Sequence, residues 1–465
     1  MTVEKPASEA PIIFLMSVIL KGVGAGLEVI LQVLITRLIG VDGYGTYSTW
    51  INAADLIFWV LFSAITKCNT FYLSVPGTSI HKFKKNYYIK YVLPLLAVTA
   101  AAMVLTGKVQ YCIILLITGM ELWALDQSST LIAQSHQMIS LTGEYVLGRF
   151  LLVIGVLALS ATGRLSLKSL LILYVLQYAV IITIFAFWQK SKVHADRDIS
   201  DEVTLKKWGS YQRADLIQSM IGQMPVLLQF LFSGAFEAGV VSIVLTVKKL
   251  INFISGPTAK VFLPEFSRLY RQGKVEEIRD SFASIMRIQM LFAGPLAVVL
   301  LGYPHVLLRI LAKDLLAYTN LFMLCAVVFL ITATLGPCSG VLQMTGNERW
   351  DNRFREIALL MMFVVMWLFR SDSLFVLYGL CAQAALETAG KFYYVCRWMK
   401  RSPVKLLTYL SWWVVPGVMI AATYGLHLGD SVLWMLAFVM IVFGTSMVFE
   451  LKQEGGLKKL LNRKR

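Results

Sequence analysis

Fourteen stretches of the chain read as long apolar runs separated by short polar connections. They fall near 11–39, 46–74, 88–106, 110–135, 143–161, 168–188, 211–233, 238–264, 282–303, 316–344, 354–370, 374–397, 406–426 and 431–450. A helix needs ~20 mostly apolar residues to cross a bilayer, and the runs are of about that length. The pattern predicts an all-α polytopic membrane protein of about fourteen transmembrane helices. The residues ahead of the first run carry two acids and one lysine, and the run itself exceeds the apolar core of a cleaved leader. An uncleaved first span is therefore expected. The connections are too short to fold as domains. The longest, around Gln189 to Trp208, is charged and expected to be flexible, and Glu265–Asp280 is expected to form a helix on the membrane surface.

Composition agrees with this reading. Hydrophobic residues make up 57% of the chain and charged residues only 15%, against ~25% charged in soluble domains. The net charge of +16 would suggest nucleic acid in a soluble protein, but its placement gives another cause. If the N-terminus is cytoplasmic, only Lys108, Arg164, Lys168, Arg309, Lys313 and Arg370 fall on external connections, and most other Lys and Arg fall on internal ones. The positive-inside rule then puts both termini in the cytoplasm. Anionic lipid headgroups, not nucleic acid, are the expected partners of the basic face. Cys68, Cys112, Cys325, Cys338, Cys381 and Cys396 all sit in or beside apolar runs, which suits buried thiols rather than a disulfide or zinc framework.

Polar positions inside the spans carry the functional signal. Lys21, Glu28, Gln32 and Thr36 recur at helical spacing on the first span, and Asn52, Asp55 and Ser63 on the second, with Lys67 following. Span seven carries Gln223 and Gln229, and span eight Lys248, Lys249 and Lys260. Helical periodicity places each set on one face. Lys21, Glu28, Asp55, Glu121, Lys248, Lys249 and Glu387 lie well inside their spans. At ~2.5–3.5 kcal/mol per mid-membrane charge, facing lipid would cost on the order of 20 kcal/mol. These groups must meet one another or a wet cavity. Glu387 and Lys391 are four residues apart and positioned to pair. Spans three, thirteen and fourteen carry no such charge and are expected to face lipid.

The cavity set read from these stripes is Lys21, Lys67, Lys248, Lys249, Lys260, Gln32, Gln223 and Asn52. Its lysines suit an anionic group such as a phosphate or diphosphate. Glu28, Asp55, Glu121 and Asp126 are candidates for a coupling proton or sodium ion. Val29-Ile-Leu-Gln32 has an echo in Val226-Leu-Leu-Gln229. Six spans per half make this a parallel repeat, with a site expected between the halves near the midplane. The expected organisation is an N-lobe at 1–205, a C-lobe at 206–403, and spans thirteen and fourteen with a basic cytoplasmic tail at 404–465. No phosphate-binding loop, metal-ligand spacing or nucleophile elbow is present, so neither an enzyme nor a cofactor is expected. Gly22-x-Gly24-x-Gly26 lies inside a lipid-length helix, where close helix packing is the expected role.

At the first external turn the chain reads Arg37-Leu-Ile-Gly40-Val-Asp-Gly-Tyr44-Gly45-Thr-Tyr47. Leu263-Pro-Glu-Phe-Ser-Arg-Leu269 leaves span eight, and Gly346-Asn347 follows span ten. These motifs, with two six-span halves and two extra spans, resemble the polysaccharide flippases of the multidrug/oligosaccharidyl-lipid/polysaccharide exporter superfamily. The resemblance implies two lobes around a central cavity lined by spans one, two, seven and eight. It also implies a polyprenyl diphosphate-linked oligosaccharide carried across a bacterial cytoplasmic membrane, with glycan polymerase or export proteins as partners. The span count is also similar to the lipid II flippases, but the arginine-rich start expected of that branch is missing. A cation-coupled multidrug exporter of the same superfamily is the other alternative, disfavoured by the lysines and the two added spans.

Overall fold

The structure is a computed structural model that describes the backbone of residues 10–73, 78–107, 111–133, 142–192, 197–203, 205–335, 337–400 and 413–452. The side chains of 10–18 and 252–265, Lys260 included, lie outside the described residues. The chain is all-α, as its patterning predicts. The principal helices are α1 (Ala10–Phe62), α2 (Ala64–Tyr72), α3 (His81–Leu105), α4 (Cys112–Ala133), α5 (Gly148–Ala161), α6 (Leu167–Lys192), α7 (Leu205–Ser233) and α8 (Ala235–Arg271). They continue with α9 (Val275–Gly302), α10 (Pro304–Leu311), α11 (Thr319–Thr334), α12 (Cys338–Met344), α13 (Glu348–Leu368), α14 (Phe375–Trp398), α15 (Val414–Gly425) and α16 (Val432–Lys452).

Glycines set the turns between spans. α1 is two helical arms joined at Gly40, whose φ of 78° and ψ of 170° suit only a residue without Cβ. The external turn expected between the first two runs shrinks to this one hinge. Gly234, at φ 110°, separates α7 from α8. Gly273, at φ 71°, lets Lys274 N–H donate to Leu269 O at 3.0 Å. This tight turn replaces the surface helix expected over Glu265–Asp280. The acids of that stretch start α9, where Glu276 and Glu277 occupy the first turn and complement the helix dipole.

The connection expected to be flexible is also partly built. Thr78 and Ser79 pair in parallel with Arg197 and Asp198. Ile199, Val203 and Trp208 bury their side chains beside Ile80 and Tyr72. Apolar residues in the charged loop thus anchor it, with backbone pairing fixing the register.

The chain divides into two compact units, one of Met16–Ser242 and one containing Ile243–Arg465. The first is packed around Phe58, Phe62, Ile65, Leu122 and Trp208. At its tightest crossing, a Cβ on Gly45 would lie 1.8 Å from Ala235 O, and one on Gly239 would lie 2.5 Å from Val41 O. Helix backbones meet directly there, the close approach that small residues permit in membranes. Gly26, by contrast, faces open space, so the close packing expected of its motif does not extend to that position.

The second unit is packed around Phe266, Phe282, Ile285, Met286, Val341 and Val395. α15 and α16 join it through Phe438 and Val442, which pack beside Val298 and Tyr303 of the α9–α10 region. Their outer faces expose Val414, Val418, Leu433 and Met440, and α3 likewise exposes Leu93, Val98 and Leu105. Such exposed apolar surface without mid-span charge suits contact with lipid.

Candidate functional site

In the first unit, three of the four acidic candidates share one cluster. Glu28 on the first arm of α1 lies 3.5 Å from Arg149 of α5. The fields of Glu28, Asp55 and Arg149 reach Tyr47, and those of Asp55 and Glu121 reach both Tyr174 and Tyr178 of α6. The tyrosines line up ring to ring: Tyr47 meets Tyr174 edge-on at 6.3 Å, and Tyr174 meets Tyr178 at 5.5 Å. Glu121 is buried, while Glu28 and Asp55 are half-buried. Among the described residues, these three carboxylates and the Arg149 guanidinium lie beside one row of tyrosines. Sequence periodicity found the acids. Arg149 reads from sequence only as a cation near the cytoplasmic end of its span that snorkels, and the tyrosines carry no signal, because polar aromatics inside apolar helices have an ordinary packing role.

Asp126 stands apart from that cluster. Lys84 Nζ lies 2.6 Å from its Oδ1, and Asn69 Nδ2 donates to the same oxygen at 2.7 Å. Lys84 reads from sequence as a loop cation, yet its side chain is mostly buried. A second internal repair occurs at Ser63, where α1 gives way to α2. Gln212 of α7 accepts from Ala64 N–H at 3.0 Å and donates to Trp59 O and Val60 O. One amide thus serves the backbone groups released by the break, as a membrane interior requires.

The remaining candidates of this unit occupy varied settings. Asn52 donates to Ser48 O at 2.7 Å. Gln32 is buried, and its Nε2 meets no acceptor among the described residues. Lys21, Lys67 and Gln223 are half-buried.

The second unit holds a buried four-charge network. Lys391 lies 2.6 Å from Glu387 and 2.7 Å from Asp351, and Arg355 lies 3.1 Å from Asp351 and 3.6 Å from Glu387. Gln343 donates to Asp351, Gln383 to Glu387, and Lys391 to Ser339. Two cations balance two anions, and neutral donors satisfy further oxygens, which is the condition for burying charge. The Glu387–Lys391 pair was legible from spacing. Asp351 and Arg355 were not, since they read as part of the connection before span eleven.

Lys248 is placed differently. Its ammonium lies 5.1 Å from the centre of the Phe329 ring, a cation–π contact. It feels the field of Glu387 but has no carboxylate within ion-pair distance among the described residues. Lys249, the next residue, is exposed. Gln289 of α9, absent from the sequence-based set, is almost fully buried, with neither amide atom bonded among the described residues. Among the described residues no group of three metal-ligating side chains occurs.

The motifs at the span ends have structural explanations. Tyr44 shares a 3.3 Å hydrogen bond with Ser242, Gly45 permits the crossing with α8, and Tyr47 joins the tyrosine row. Gly346 takes a φ of 74°, and Asn347 then bonds Thr345 O and Tyr394.

No protein-family profile and no curated protein matches the chain. Solved structures do. The lipid II flippase MurJ, in an inward closed conformation, matches with a TM-score of 0.65 at 14% identity, over 94% of this chain and 97% of that one. A multidrug resistance MATE family transporter of the MOP superfamily, outward-facing, matches with 0.56 at 12% identity, over 86% and 97%. A MOP superfamily transporter from Pyrococcus furiosus, noted for a binding pocket of reverse polarity, matches with 0.53 at 12% identity, over 86% and 96%. The chain has the polytopic helical fold that these transporters share.

Proposed function

We propose that this chain is a flippase. It translocates a polyprenyl diphosphate-linked oligosaccharide from the cytoplasmic to the outer leaflet by alternating access, for cell-surface polysaccharide biosynthesis. The spans at 1–205 and 206–403 act as the two moving lobes, and both termini stay in the cytoplasm. The fold supports transport over an enzyme.

The observation that carries the cargo is Lys248. Every charge of the neighbouring four-charge network is matched by an opposite one, but this lysine is held against an aromatic face and left for an anion. A diphosphate supplies that anion. In this reading Lys21, Lys67, Lys249 and Lys260 act with Lys248 on the headgroup. Gln32, Gln223 and Asn52 meet sugar hydroxyls, to which amides donate and from which they accept. Glu28, Asp55 and Glu121 take up the coupling ion, a proton or Na+. Asp126, already held by Lys84 and Asn69, is the weakest member of that set.

A second reading, lipid II as cargo, is favoured by the match to MurJ over nearly the whole chain. Both readings share the diphosphate and differ in the glycan. Complementation separates them: the gene is introduced into strains lacking either a polysaccharide flippase or a lipid II flippase. Rescue of the first strain alone, lost on Lys248→Gln with expression intact, is the expected result. Full rescue by Lys248→Gln would remove the observation on which the proposal stands.

A further inference from the structure

A pocket of about 560 Å³ opens in the first unit, and none of its lining residues belongs to the acidic cluster or to the candidate lysines. It is lined by Leu73, Thr78, Ser79, Ile80, His81, Lys84, Thr130, Ala186, Gln189 and Lys190. This volume lies within the ~300–1,000 Å³ range of small-ligand sites. Three basic side chains line it and no acid does. Lys84 is held in place by Asp126 at 2.6 Å and by Thr130 Oγ1 at 3.4 Å. His81 and Lys190 have exposed side chains and no ion pair among the described residues.

The backbone donors nearby are already used. Ser79 Oγ accepts from His81 N–H, Asp198 Oδ2 from Lys82 N–H, and Ser200 Oγ from Phe83 N–H. The start of α3 therefore offers little to an anion, and recognition falls to the side chains of Lys84, Lys190, His81 and Gln189.

The depth of the pocket can be read from α6. The helix has 26 residues and so runs ~39 Å, longer than the ~30 Å hydrocarbon core. Its last turns carry Ala186, Gln189 and Lys190 into the pocket, while Phe187 on the same stretch is 73% exposed and Trp188 36%. Tyr91 of α3 is 50% exposed. Exposed aromatics beside lysine are the signature of the membrane interface. The charge pattern assigns this end of the spans to the cytoplasmic side.

We propose that this pocket binds the phosphate of an anionic phospholipid headgroup at the cytoplasmic interface, at a site separate from the transported cargo. The acyl chains lie along the apolar faces of α3 and α6, and the headgroup phosphate meets Lys190 and Lys84. Such a site couples membrane composition to the stability of the first unit. It does not depend on the flippase reading.

Native mass spectrometry of the full chain tests the proposal with dioleoylphosphatidylglycerol, dioleoylphosphatidylcholine and inorganic phosphate as separate probes. Lys190→Glu is compared with Arg164→Glu, which makes the same charge change beyond the opposite end of α6. Wild type and Arg164→Glu are expected to retain phosphatidylglycerol over phosphatidylcholine. Lys190→Glu should retain about tenfold less, the weight of one charge-assisted contact. Retention of inorganic phosphate, lost in the same variant, would support the phosphate site and reassign its source to a soluble anion. Equal loss in both variants, or none in either, would overturn the proposal. All variants are exposed at the altered position, so each is expected to fold.

Discussion

Lys391 is the hub of the buried network, and Lys391→Met removes one of its two cations while keeping much of the apolar stem. The ammonium lies within 2.6–2.9 Å of Glu387, Asp351 and Ser339. After substitution, Arg355 alone faces two carboxylates. The Asp351 side chain is 1% exposed, so water cannot replace the lost partner. Removing one member of a buried pair costs ~3–5 kcal/mol, because the other charge stays buried without compensation. For a unit of this size each kcal/mol moves the midpoint by ~2–4 °C, so the apparent melting temperature should fall by about 6–20 °C. Heating a fluorescent fusion in detergent and following the monodisperse fraction by size-exclusion chromatography reads this directly. Adding Asp351→Asn restores neutrality, with Glu387 facing Arg355, and should recover part of the loss. A fall of under ~2 °C for Lys391→Met would refute the view that this network holds the second unit together.

Other expectations follow from single contacts. Gly45→Ala puts a methyl group 1.8 Å from Ala235 O, so α1 and α8 must separate; overpacking of this kind costs ~1–3 kcal/mol or more, and an unchanged melting temperature would contradict the crossing. Gln212→Leu leaves Ala64 N–H, Trp59 O and Val60 O without their partner, at ~1–3 kcal/mol for each group left unsatisfied; the same thermal assay checks it, and a neutral result would show that another group serves the break. In proteoliposomes, Asp55→Asn and Glu28→Gln should abolish the response of transport to an imposed proton or Na+ gradient while leaving folding intact. Gradient dependence unchanged in both would remove the acidic cluster from coupling.

The parts of this molecule that follow from local pattern were legible in its sequence. Span positions came from apolar length, and the exposed apolar faces of α3, α15 and α16 fit their lack of mid-span charge. The Glu387–Lys391 pair came from helical spacing. What stayed hidden depends on partners far apart in the chain. Arg355 and Asp351 sit near a helix start and look like connection charges until α13 packs against α14. Lys84 looks like a solvated basic residue until the α3 entry folds over Asp126. Gln212 looks like any polar residue at a helix entrance, because its role is defined by a break in another helix. The row of Tyr47, Tyr174 and Tyr178 joins α1 to α6, and no spacing rule links such positions. The 271–275 turn was missed for a different reason: the charges that suggested a surface helix belong to the first turn of the next span.

The central claim is that an intramembrane set of lysines recognises a lipid-linked diphosphate. The most direct measurement is native mass spectrometry of the purified chain with a polyprenyl diphosphate-linked sugar, beside the Lys21→Gln/Lys248→Gln/Lys249→Gln variant. Retention of the glycolipid by the wild type and its loss in the variant are expected. Equal retention by both, or retention of organic cations alone under the control of Glu28 or Asp55, would contradict the claim and make the chain a drug exporter.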